Sequence, residues 1–395
     1  MNHHKHLQPP QYLIGIMSGT SCDAIDIAII DIYNHKLVHF SEYPMPVELR
    51  ESCLRIAKPG FDEIDQLGSL DRALAMAFAQ AVAIALKEAN ILSQQILAIG
   101  SHGQTIRHRP QGMSGSHPFT LQIGCAATLA EQTKITVVSD FRSRDIAAGG
   151  EGAPLVPFAH QTLFANHANT TAILNIGGIA NITILNSDGS VQGFDTGPGN
   201  MVMDALILEL SDGRHAYDKN GDLASAGQVC QALLDTLLQH PFIHQKPPKS
   251  TGREAFGKDI VDRLLAWHGI SDADRMATAC ALTTQSIVKQ LVFFKELPKR
   301  WLVCGGGVFN VQLMQMLSHA LAPAEVKSTQ QAGVPPEAVE AISFALLAQQ
   351  TLLGRNNTLA EVTGAQHAVC GGQITPSNNW LQVSQWLYDI IAKEH

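Results

Sequence analysis

Apolar and small polar residues near the start of the chain follow the pattern of a β-hairpin. Ile14 and Ile16 alternate with smaller residues as in a buried strand, and a similar alternation of isoleucines resumes over residues 25–30. Between these stretches, residues 18–23 are small or polar. The pattern predicts two strands joined by a turn that offers backbone N–H groups, hydroxyl groups and carboxylates.

Strand-like and helix-like stretches alternate through the rest of the first half, which indicates an α/β fold. The segment "DFRSRDIAAGGEGAPLVPFAH" is rich in charge and glycine and predicts a site-forming loop. The other predicted elements are a strand over Lys36–Tyr43, a helix over Leu67–Leu92, a strand in "ILAIGSHGQTIRH" that runs into a polar loop, a short strand "FTLQIG", a helix "CAATLAEQT" and a strand "ITVVSDF".

The opening pattern restarts at Thr171. A strand, a tight turn at Gly177–Gly178, a second strand, a turn "SDGS" and a third strand ending at Asp195 repeat the same order with different residues. The predicted elements that follow are helices over 201–210, 228–239, 259–267 and 273–294, a strand in "RWLVCGGGVFN", a helix from Val311 and a helix in "PEAVEAISFALLAQQTLLG" that ends at Gly354. We therefore expect two α/β domains, residues 1–168 and 169–395, and leave open a return of the last helices to the first domain.

Composition and charge narrow the class of protein. The chain has 395 residues, 45% hydrophobic and 16% charged, which suits an ordinary globular protein of two domains. Its net charge of −8 disfavours nucleic-acid binding, which needs a clustered basic face. We see no run of about 18 apolar residues and no secretory signal, so we expect a cytoplasmic protein that does not span a membrane. The seven cysteines are scattered without a C-x-x-C pair, which argues against disulfides and zinc.

The polar turn of the first hairpin has the composition of an anion site. Its Gly, Ser and Thr residues offer N–H and hydroxyl donors that suit a phosphate group. Asp23 and Asp26 would repel a phosphate unless a divalent cation lies between them, so they suggest Mg²⁺ that holds a nucleotide. Taken alone, the turn is more typical of an ordinary polar loop with solvated carboxylates. The chain has no G-x-x-x-x-G-K-[ST] motif, which excludes the P-loop form of this site.

Three features of the second half extend this interpretation to ATP. Asn175, Gly177 and Gly178 form another turn with accessible amides, and Asp195 ends a strand just before "TGPGN". A carboxylate at a strand end is well placed to act as a general base. The three glycines of "VCGGGVFN" remove side chains where a flat adenine ring could lie. Together with the first hairpin these features predict an ATP site formed by two domains.

A set of ten segments between Gly15 and Pro376 resembles the anhydro-N-acetylmuramic acid kinase family. The segments are "GIMSGTSCDAIDIAI", "GSHGQTIRHRP", "TLQIG", "DFRSRDIAAGGEGAPLVP", "LNIGGIANIT", "GFDTGPGN", "STGREAFG", "LVCGGGVFN", "PPEAVEAISFALLA" and "EVTGA". The resemblance implies the two-domain, actin-like (ribonuclease H-like) fold of the actin, Hsp70 and sugar-kinase group, with a mixed sheet in each half. It also implies ATP-dependent, hydrolytic opening of 1,6-anhydro-N-acetylmuramic acid to N-acetylmuramic acid 6-phosphate in cell-wall recycling.

Residue roles follow from the same resemblance. Asp195 is the expected base that activates water, and Glu340 is a second carboxylate at the sugar. The expected ATP-binding residues are Gly19, Thr20, Ser21, Cys22, Asp23, Ala24, Ile25, Asp26, Asn175, Gly177, Gly178, Gly305, Gly306 and Gly307, with Asp23 and Asp26 at Mg²⁺. The expected sugar-binding residues are His102, Gln104, Arg142, Arg144 and Asp145, where the two arginines suit the lactyl carboxylate of the substrate.

Two departures and two alternatives accompany the resemblance. Ala24 stands where the family usually has glycine, and Glu151 stands where it more often has glutamine. One alternative is a kinase of another amino sugar in the same superfold, and the other is an ATP-gated sensor without turnover. The retained Asp195 in "DTGPGN" favours catalysis. The sequence leaves the oligomeric state open, with a homodimer as the expectation.

Overall fold

The computed structural model describes residues 10–19, 21–58, 60, 63–113, 115–166, 168–252 and 255–394. The strands are β1 Tyr12–Met17, β2 Ala24–Asp31, β3 Leu37–Pro44, β4 Ile96–Ser101, β5 Gln104–Arg109, β6 Phe119–Ile123, β7 Val137–Ser139, β8 Thr171–Ile176, β9 Ile179–Leu185, β10 Val191–Pro198, β11 Arg300–Cys304, β12 Glu325–Ser328 and β13 Gln373–Thr375. The helices are α1 Val47–Ile56, α2 Glu63–Glu88, α3 Ala126–Thr133, α4 Ser143–Ala147, α5 Val156–Phe164, α6 Met201–Leu210, α7 Asp222–Ser225, α8 Gln231–Leu237, α9 Pro241–His244, α10 Lys258–Ala266, α11 Asp272–Val288, α12 Val311–Ala320, α13 Val339–Leu352, α14 Ala360–Thr363 and α15 Trp380–Glu394.

The chain divides into two compact units. Unit 1 comprises the described residues of Met1–Ala159 and Ala338–His395, and unit 2 comprises those of His160–Glu337. The sequence interpretation places the boundary at residue 168, whereas the division of the structure falls inside α5. Residues from Ala338 onward pack with unit 1, which is the return of the last helices that the sequence leaves open.

Each unit is built on one mixed sheet, and the two sheets share one strand arrangement. The unit 1 sheet has the order β13-β7-β4-β1-β2-β3, and the unit 2 sheet has the order β12-β11-β8-β9-β10. In each, three antiparallel strands form a meander, and the first of them pairs on its other side with a parallel strand from later in the chain. This repeated arrangement confirms the α/β fold with a β-meander at the start of each half.

Helix α13 covers one face of the unit 1 sheet. It packs against β1, β2 and β4, and almost all of its residues are buried, as expected for a helix that is apolar on every side. Gly15 and Gly100 allow this approach, since a Cβ atom on either would overlap the carbonyl oxygen of Ala341 or Phe344. The backbone of the helix therefore lies directly on the central strands.

Several elements differ from the sequence prediction. The polar loop predicted after β4 contains β5, which pairs with β6 in a separate two-stranded sheet. The predicted site-forming loop contains the helices α4 and α5. Helix α2 is long and apolar enough to cross a membrane by length and composition only, a test that the core helix of a globular protein also passes. One face of α2, including Leu74, Phe78 and Val82, is packed in the core of unit 1.

Candidate active site

The turn between β1 and β2 is held to the start of β5 by side-chain hydrogen bonds. Ser18 Oγ lies 2.8 Å from Gln104 Oε1, and Gln104 Nε2 donates to the Gly19 carbonyl oxygen at 3.1 Å. Ser18 and Gln104 are both buried. Gln104, which the resemblance assigns to the sugar, thus shapes the predicted phosphate turn. Thr20 of the same turn lies outside the described residues.

Cys22 and Ala24 of this turn differ in backbone conformation. Cys22 is left-handed, with a φ of 55°, and its N–H donates to the Gly19 carbonyl oxygen at 3.0 Å. Ala24 begins β2 and does not have a positive φ, so alanine in place of the family's glycine causes no left-handed strain. The side chain of Ile25 is packed in the core of unit 1, and Ile25 pairs with Tyr43 of β3.

Asp23 is paired with an arginine that the sequence motifs do not include. Arg50 of α1 lies 2.6 Å from Asp23 through Nη2 and Oδ1, and its Nε donates to the Ser21 carbonyl oxygen at 3.4 Å. Both charged side chains are about half exposed, so the pair adds little to the free energy of folding. Its consequence is geometric, because it fastens α1 to residues 21–23.

Asp26 lies at the turn end of the hairpin, opposite Met17 in the β1–β2 register, and is partly buried. No group of three or more His, Cys, Asp and Glu side chains suited to a metal ion occurs among the described residues. Mg²⁺ bound through nucleotide phosphates needs only one or two protein carboxylates. Asp23 and Asp26 both remain candidates for this role, and the Asp23 carboxylate also pairs with Arg50.

His102 and Arg142 form a hydrogen-bonded pair at the carboxyl end of β4. Arg142 Nε and Nη2 lie 3.2 and 2.9 Å from His102 Nε2, and Arg142 Nη1 donates to the Gly152 carbonyl oxygen at 2.7 Å. Burial, and then the charge of Arg142, lower the pKa of His102 well below 6.5. The imidazole is therefore neutral at physiological pH and accepts at Nε2, which assigns its proton to Nδ1.

Glu340 lies in the first turn of α13 and interacts electrostatically with Arg142. Burial lowers the pKa of Arg142 to about 10, and the carboxylates of Glu340 and Asp145 oppose that shift. The guanidinium is therefore still charged at neutral pH. The structure thus brings together His102, Arg142 and Glu340, three residues that are far apart in the sequence and assigned to the sugar by resemblance.

A small polar cavity lies beside His102. Its volume is about 90 Å³, and its lining includes Asp71, Ser101, His102, Gln122, Ser139 and Asp140. Ser101 is buried, and its Oγ has no hydrogen-bond partner in the part of the chain that the structure describes. Hydroxyl, amide and carboxylate groups in one cavity match the donors and acceptors of a sugar. This cavity is a candidate for part of a sugar subsite in unit 1.

Asp145 lies near Arg142 and bonds to the same residue, Gly152, whereas Arg144 lies elsewhere. The fully buried Asp145 accepts from the Gly152 N–H at 2.8 Å and from Thr363 Oγ1 at 2.8 Å. It organises the loop around Gly152 and is closed off from the surface. Arg144 is exposed and donates to the Cys370 carbonyl oxygen at 3.3 Å. The structure therefore does not bring Arg142 and Arg144 together, as would be expected if both bound the lactyl carboxylate.

Asp195 of unit 2 lies at an irregularity in β10, where its pairing with β9 shifts register between Asp195 and Gly197. Its Oδ2 accepts from the Thr251 N–H at 2.8 Å, and its own N–H donates to the Lys249 carbonyl oxygen at 3.2 Å. Asp195 is partly exposed, whereas Phe194 and Thr196 are buried. Strand β10 continues to Pro198, so the prediction that the strand ends at Asp195 is wrong. The segment around residue 250 therefore holds this partly exposed carboxylate in one orientation within the strand.

The glycine-rich segments of unit 2 pack on one another. The N–H groups of Gly199 and Asn200 donate to the carbonyl oxygens of Gly178 and Gly177 at 2.9 and 2.8 Å. This joins the turn after β8, which follows Asn175, to the "TGPGN" segment. The carbonyl oxygens of Gly177 and Gly178 therefore hold the segment that follows Asp195 in the chain.

The glycine shelf after β11 is mainly a packing feature. Gly305 has a φ of 77°, and a Cβ there would overlap Asn175 Oδ1. A Cβ on Gly307 would overlap the Ile176 side chain. At Gly306 a Cβ would approach nothing closer than Asn200 Nδ2 at 3.5 Å, so this position alone of the three leaves room above the backbone.

The sequence reasoning missed four residues that shape these sites: Arg50, Ser101, Lys249 and Thr251. Thr251 acts through its backbone N–H, for which the sequence carries no signal. Lys249 immediately precedes the quoted segment "STGREAFG", and only its burial distinguishes it from a surface lysine. Glu151, which departs from the family, accepts a hydrogen bond from Gln111 Nε2 at 2.8 Å.

Comparison with known sequences identifies one family. The model of the family described as anhydro-N-acetylmuramic acid kinase matches residues 11–377. A protein of Vibrio vulnificus with that name is 42% identical over 92% of this chain and 98% of its own length. One of Pseudomonas savastanoi pv. phaseolicola, with the same name, is 43% identical over 93% of this chain and 99% of its own.

Comparison with solved structures finds more distant similarity. The activator of the 2-hydroxyisocaproyl-CoA dehydratase from Clostridium difficile, solved with bound ADPNP, aligns with 85% of this chain and 94% of its own. The TM-score is 0.44 and the sequence identity is 11%.

Proposed function

This chain belongs to the anhydro-N-acetylmuramic acid kinase family, and from that premise we propose how its residues carry out the reaction. The enzyme uses ATP to convert 1,6-anhydro-N-acetylmuramic acid to N-acetylmuramic acid 6-phosphate, with release of ADP, in the recycling of cell-wall peptidoglycan. Water adds to the anomeric carbon as the bond from that carbon to the 6-oxygen breaks. The released 6-oxygen then takes the γ-phosphoryl group.

Asp195 is the general base for the water. The single observation that carries this assignment is the hydrogen bond from the Thr251 N–H to Asp195 Oδ2. A backbone donor orients the carboxylate without exchanging a proton with it, so the group is held ready to accept one. The glycines that follow Thr196 are packed within unit 2, since a Cβ on Gly197 would approach Ser286 and one on Gly199 would overlap the Gly177 carbonyl oxygen.

The turn after β1 binds the phosphates of ATP through its backbone. Gln104 and Ser18 hold the turn from inside unit 1, and Arg50 holds it from α1. Asp23 and Asp26 are the carboxylates that would hold Mg²⁺. The ion would neutralise charge that develops on the transferred phosphoryl group.

The sugar is bound in unit 1 beside His102. Neutral His102 offers Nδ1–H as a donor, and the cavity next to it supplies hydroxyl and carboxylate groups. Arg142 supplies the cation for the lactyl carboxylate, since a guanidinium has five N–H donors. Glu340 lies at the same cation and orients it. Asp145 and Arg144 act indirectly, by holding the backbone at Gly152 and at Cys370 through hydrogen bonds.

Isotope labelling tests this reaction. Purified protein with ATP, Mg²⁺ and the anhydro sugar in oxygen-18 water should give a product heavier than the sugar by one phosphoryl group and one water. Mass spectrometry should find the label at the anomeric oxygen. EDTA in place of Mg²⁺ should abolish turnover.

Three outcomes would contradict parts of the proposal. A product that has gained a phosphoryl group without water identifies a kinase of an ordinary sugar hydroxyl. Nucleotide binding without any product identifies a sensor. Full turnover in chelated buffer would remove Asp23 and Asp26 from the metal role. We also propose a cytoplasmic homodimer, for which size-exclusion chromatography with light scattering tests the assembly.

A further inference from the structure

A buried lysine lies next to the residues that hold Asp195. Lys249 is 6% exposed, and its Nζ donates to the carbonyl oxygens of Phe242 and Ile243 at 3.0 and 3.4 Å. The same ammonium group lies 4.6 Å from the centroid of the Phe242 ring. These contacts anchor Lys249 to α9, because both carbonyl groups belong to that helix.

The backbone of this anchored segment is what contacts Asp195. The Lys249 carbonyl oxygen accepts from the Asp195 N–H at 3.2 Å, and two residues later the Thr251 N–H donates to the Asp195 carboxylate at 2.8 Å. The segment therefore forms hydrogen bonds with both the main chain and the side chain of Asp195. A shift of the segment would move the carboxylate.

Charge links the two side chains as well. Burial lowers the pKa of Lys249 to about 8, and the negative charge of Asp195 opposes this shift. Lys249 is therefore still mostly protonated at neutral pH. A nearby ammonium group favours the ionised form of a carboxylate, which is the form that a general base requires.

We propose that Lys249 is a positioning residue for Asp195: its ammonium group fixes the segment that orients the base. This inference rests on the proposed role of Asp195. Lys249 acts through Asp195 and does not touch the substrates, since its side chain is buried against α9 and aromatic rings.

Lys249→Met tests the proposal, because methionine keeps an unbranched apolar side chain and removes the charge. We expect kcat to fall about 10- to 100-fold, as a misplaced catalytic group commonly costs, while KM for ATP and for the anhydro sugar changes by less than about threefold. If this variant does not fold, Lys249→Gln, which keeps a hydrogen-bond donor without the charge, replaces it with the same expectation.

Gln290→Met is the matched control. Gln290 is fully buried, and its Nε2 donates to the same Ile243 carbonyl oxygen at 3.1 Å. The control therefore removes a buried hydrogen bond to α9 without removing a charge. We expect its kcat to stay within about threefold of the parent. An equal loss of kcat in both variants, at equal melting temperature, would overturn the proposal in favour of a purely structural role.

The double variant separates this inference from the proposed function. If Lys249 acts through Asp195, adding Lys249→Met to Asp195→Asn should lower kcat by less than about threefold further. Multiplication of the two losses, unchanged kcat in Lys249→Met, or a large rise in its KM would each overturn the role of Lys249. Near-parent turnover of Asp195→Asn alone would overturn the base itself, whatever Lys249 does.

Discussion

Carboxylates in this protein differ in what holds them, and their chemistry follows from that. Asp195 receives a backbone N–H from Thr251. Asp145 is fully buried and receives both a backbone N–H and the Thr363 hydroxyl. Asp23 is paired with an arginine at the surface. The contact made by Asp195 suits a base that exchanges a proton. The contacts of Asp145 suit a residue that anchors a loop, and the ion pair of Asp23 joins a helix to a turn.

At the scale of the residue, Asp195→Asn tests the base most directly. Asparagine has nearly the same shape, and its carbonyl oxygen can still accept from the Thr251 N–H, so the local structure should persist. A general base typically contributes about 10²–10⁴-fold, and turnover should fall by that factor. Calorimetry should find binding of ATP and of the anhydro sugar retained.

Asp188→Asn provides the control for this change. Asp188 lies in the turn before β10 of the same unit and forms an exposed ion pair with Lys295. Removing its charge should leave turnover within about twofold, since exposed pairs contribute little. If Asp195→Asn kept turnover within about tenfold of the parent, the base would lie elsewhere and Glu340 would be the next candidate.

At the scale of the element, unit 1 depends on the direct contact between α13 and the sheet. Gly15 in β1 leaves no room for a side chain under α13. Gly68 in α2 has free space instead, because a Cβ atom there would meet no other heavy atom within 4 Å. Two glycines in regular elements of one unit are thus constrained in different ways.

Gly15→Ala should destabilise the protein by at least about 3 kcal/mol, because the helix backbone itself must move. Gly68→Ala should stabilise it by about 0.5–1 kcal/mol, because alanine restricts the unfolded chain and favours the helix. Thermal unfolding should show a large fall in Tm for the first variant and a small rise for the second. A Gly15→Ala protein that melts with the parent would refute the packing described for α13.

Strands with a strong apolar period are predictable from the sequence, as β1, β2, β8 and β11 are. Strand β5 is not, because "QTIRHR" is polar and its pairing with β6 is decided by the fold. Helix α1 and the three-residue β13 also lack a clear local pattern. Among site residues, Asp195 and Glu340 stand in recognisable motifs. Lys249 and Arg50 gain their significance from burial and contacts that only the folded chain reveals.

At the scale of the whole molecule, one unit is continuous in sequence and the other is assembled from both ends of the chain. Unit 2 has its own sheet and core, in which Trp301 and Leu282 are buried. Unit 1 takes its covering helix α13 from beyond unit 2. The two units should therefore respond differently when the chain is cut.

Fragment expression tests this asymmetry. A fragment of residues 156–337, which keeps α5 whole, should unfold cooperatively on its own. Residues 1–159 alone should not, because the sheet face under α13 is uncovered, whereas the same residues joined to 338–395 by a short flexible linker should. Thermal circular dichroism measures each case. Cooperative unfolding of residues 1–159 alone would contradict the role given to α13.

The backbone contact between Gly15 and α13 also sets an order of events during synthesis. The ribosome makes β1 at the start of the chain, but α13 emerges only after all of unit 2 has been made. At about 5–20 residues per second, this interval lasts on the order of ten seconds or more. During that time, one apolar face of the central strands in the nascent chain is not covered by α13. Chaperones that bind nascent apolar segments should therefore associate with the first part of this chain until its C-terminal helices emerge.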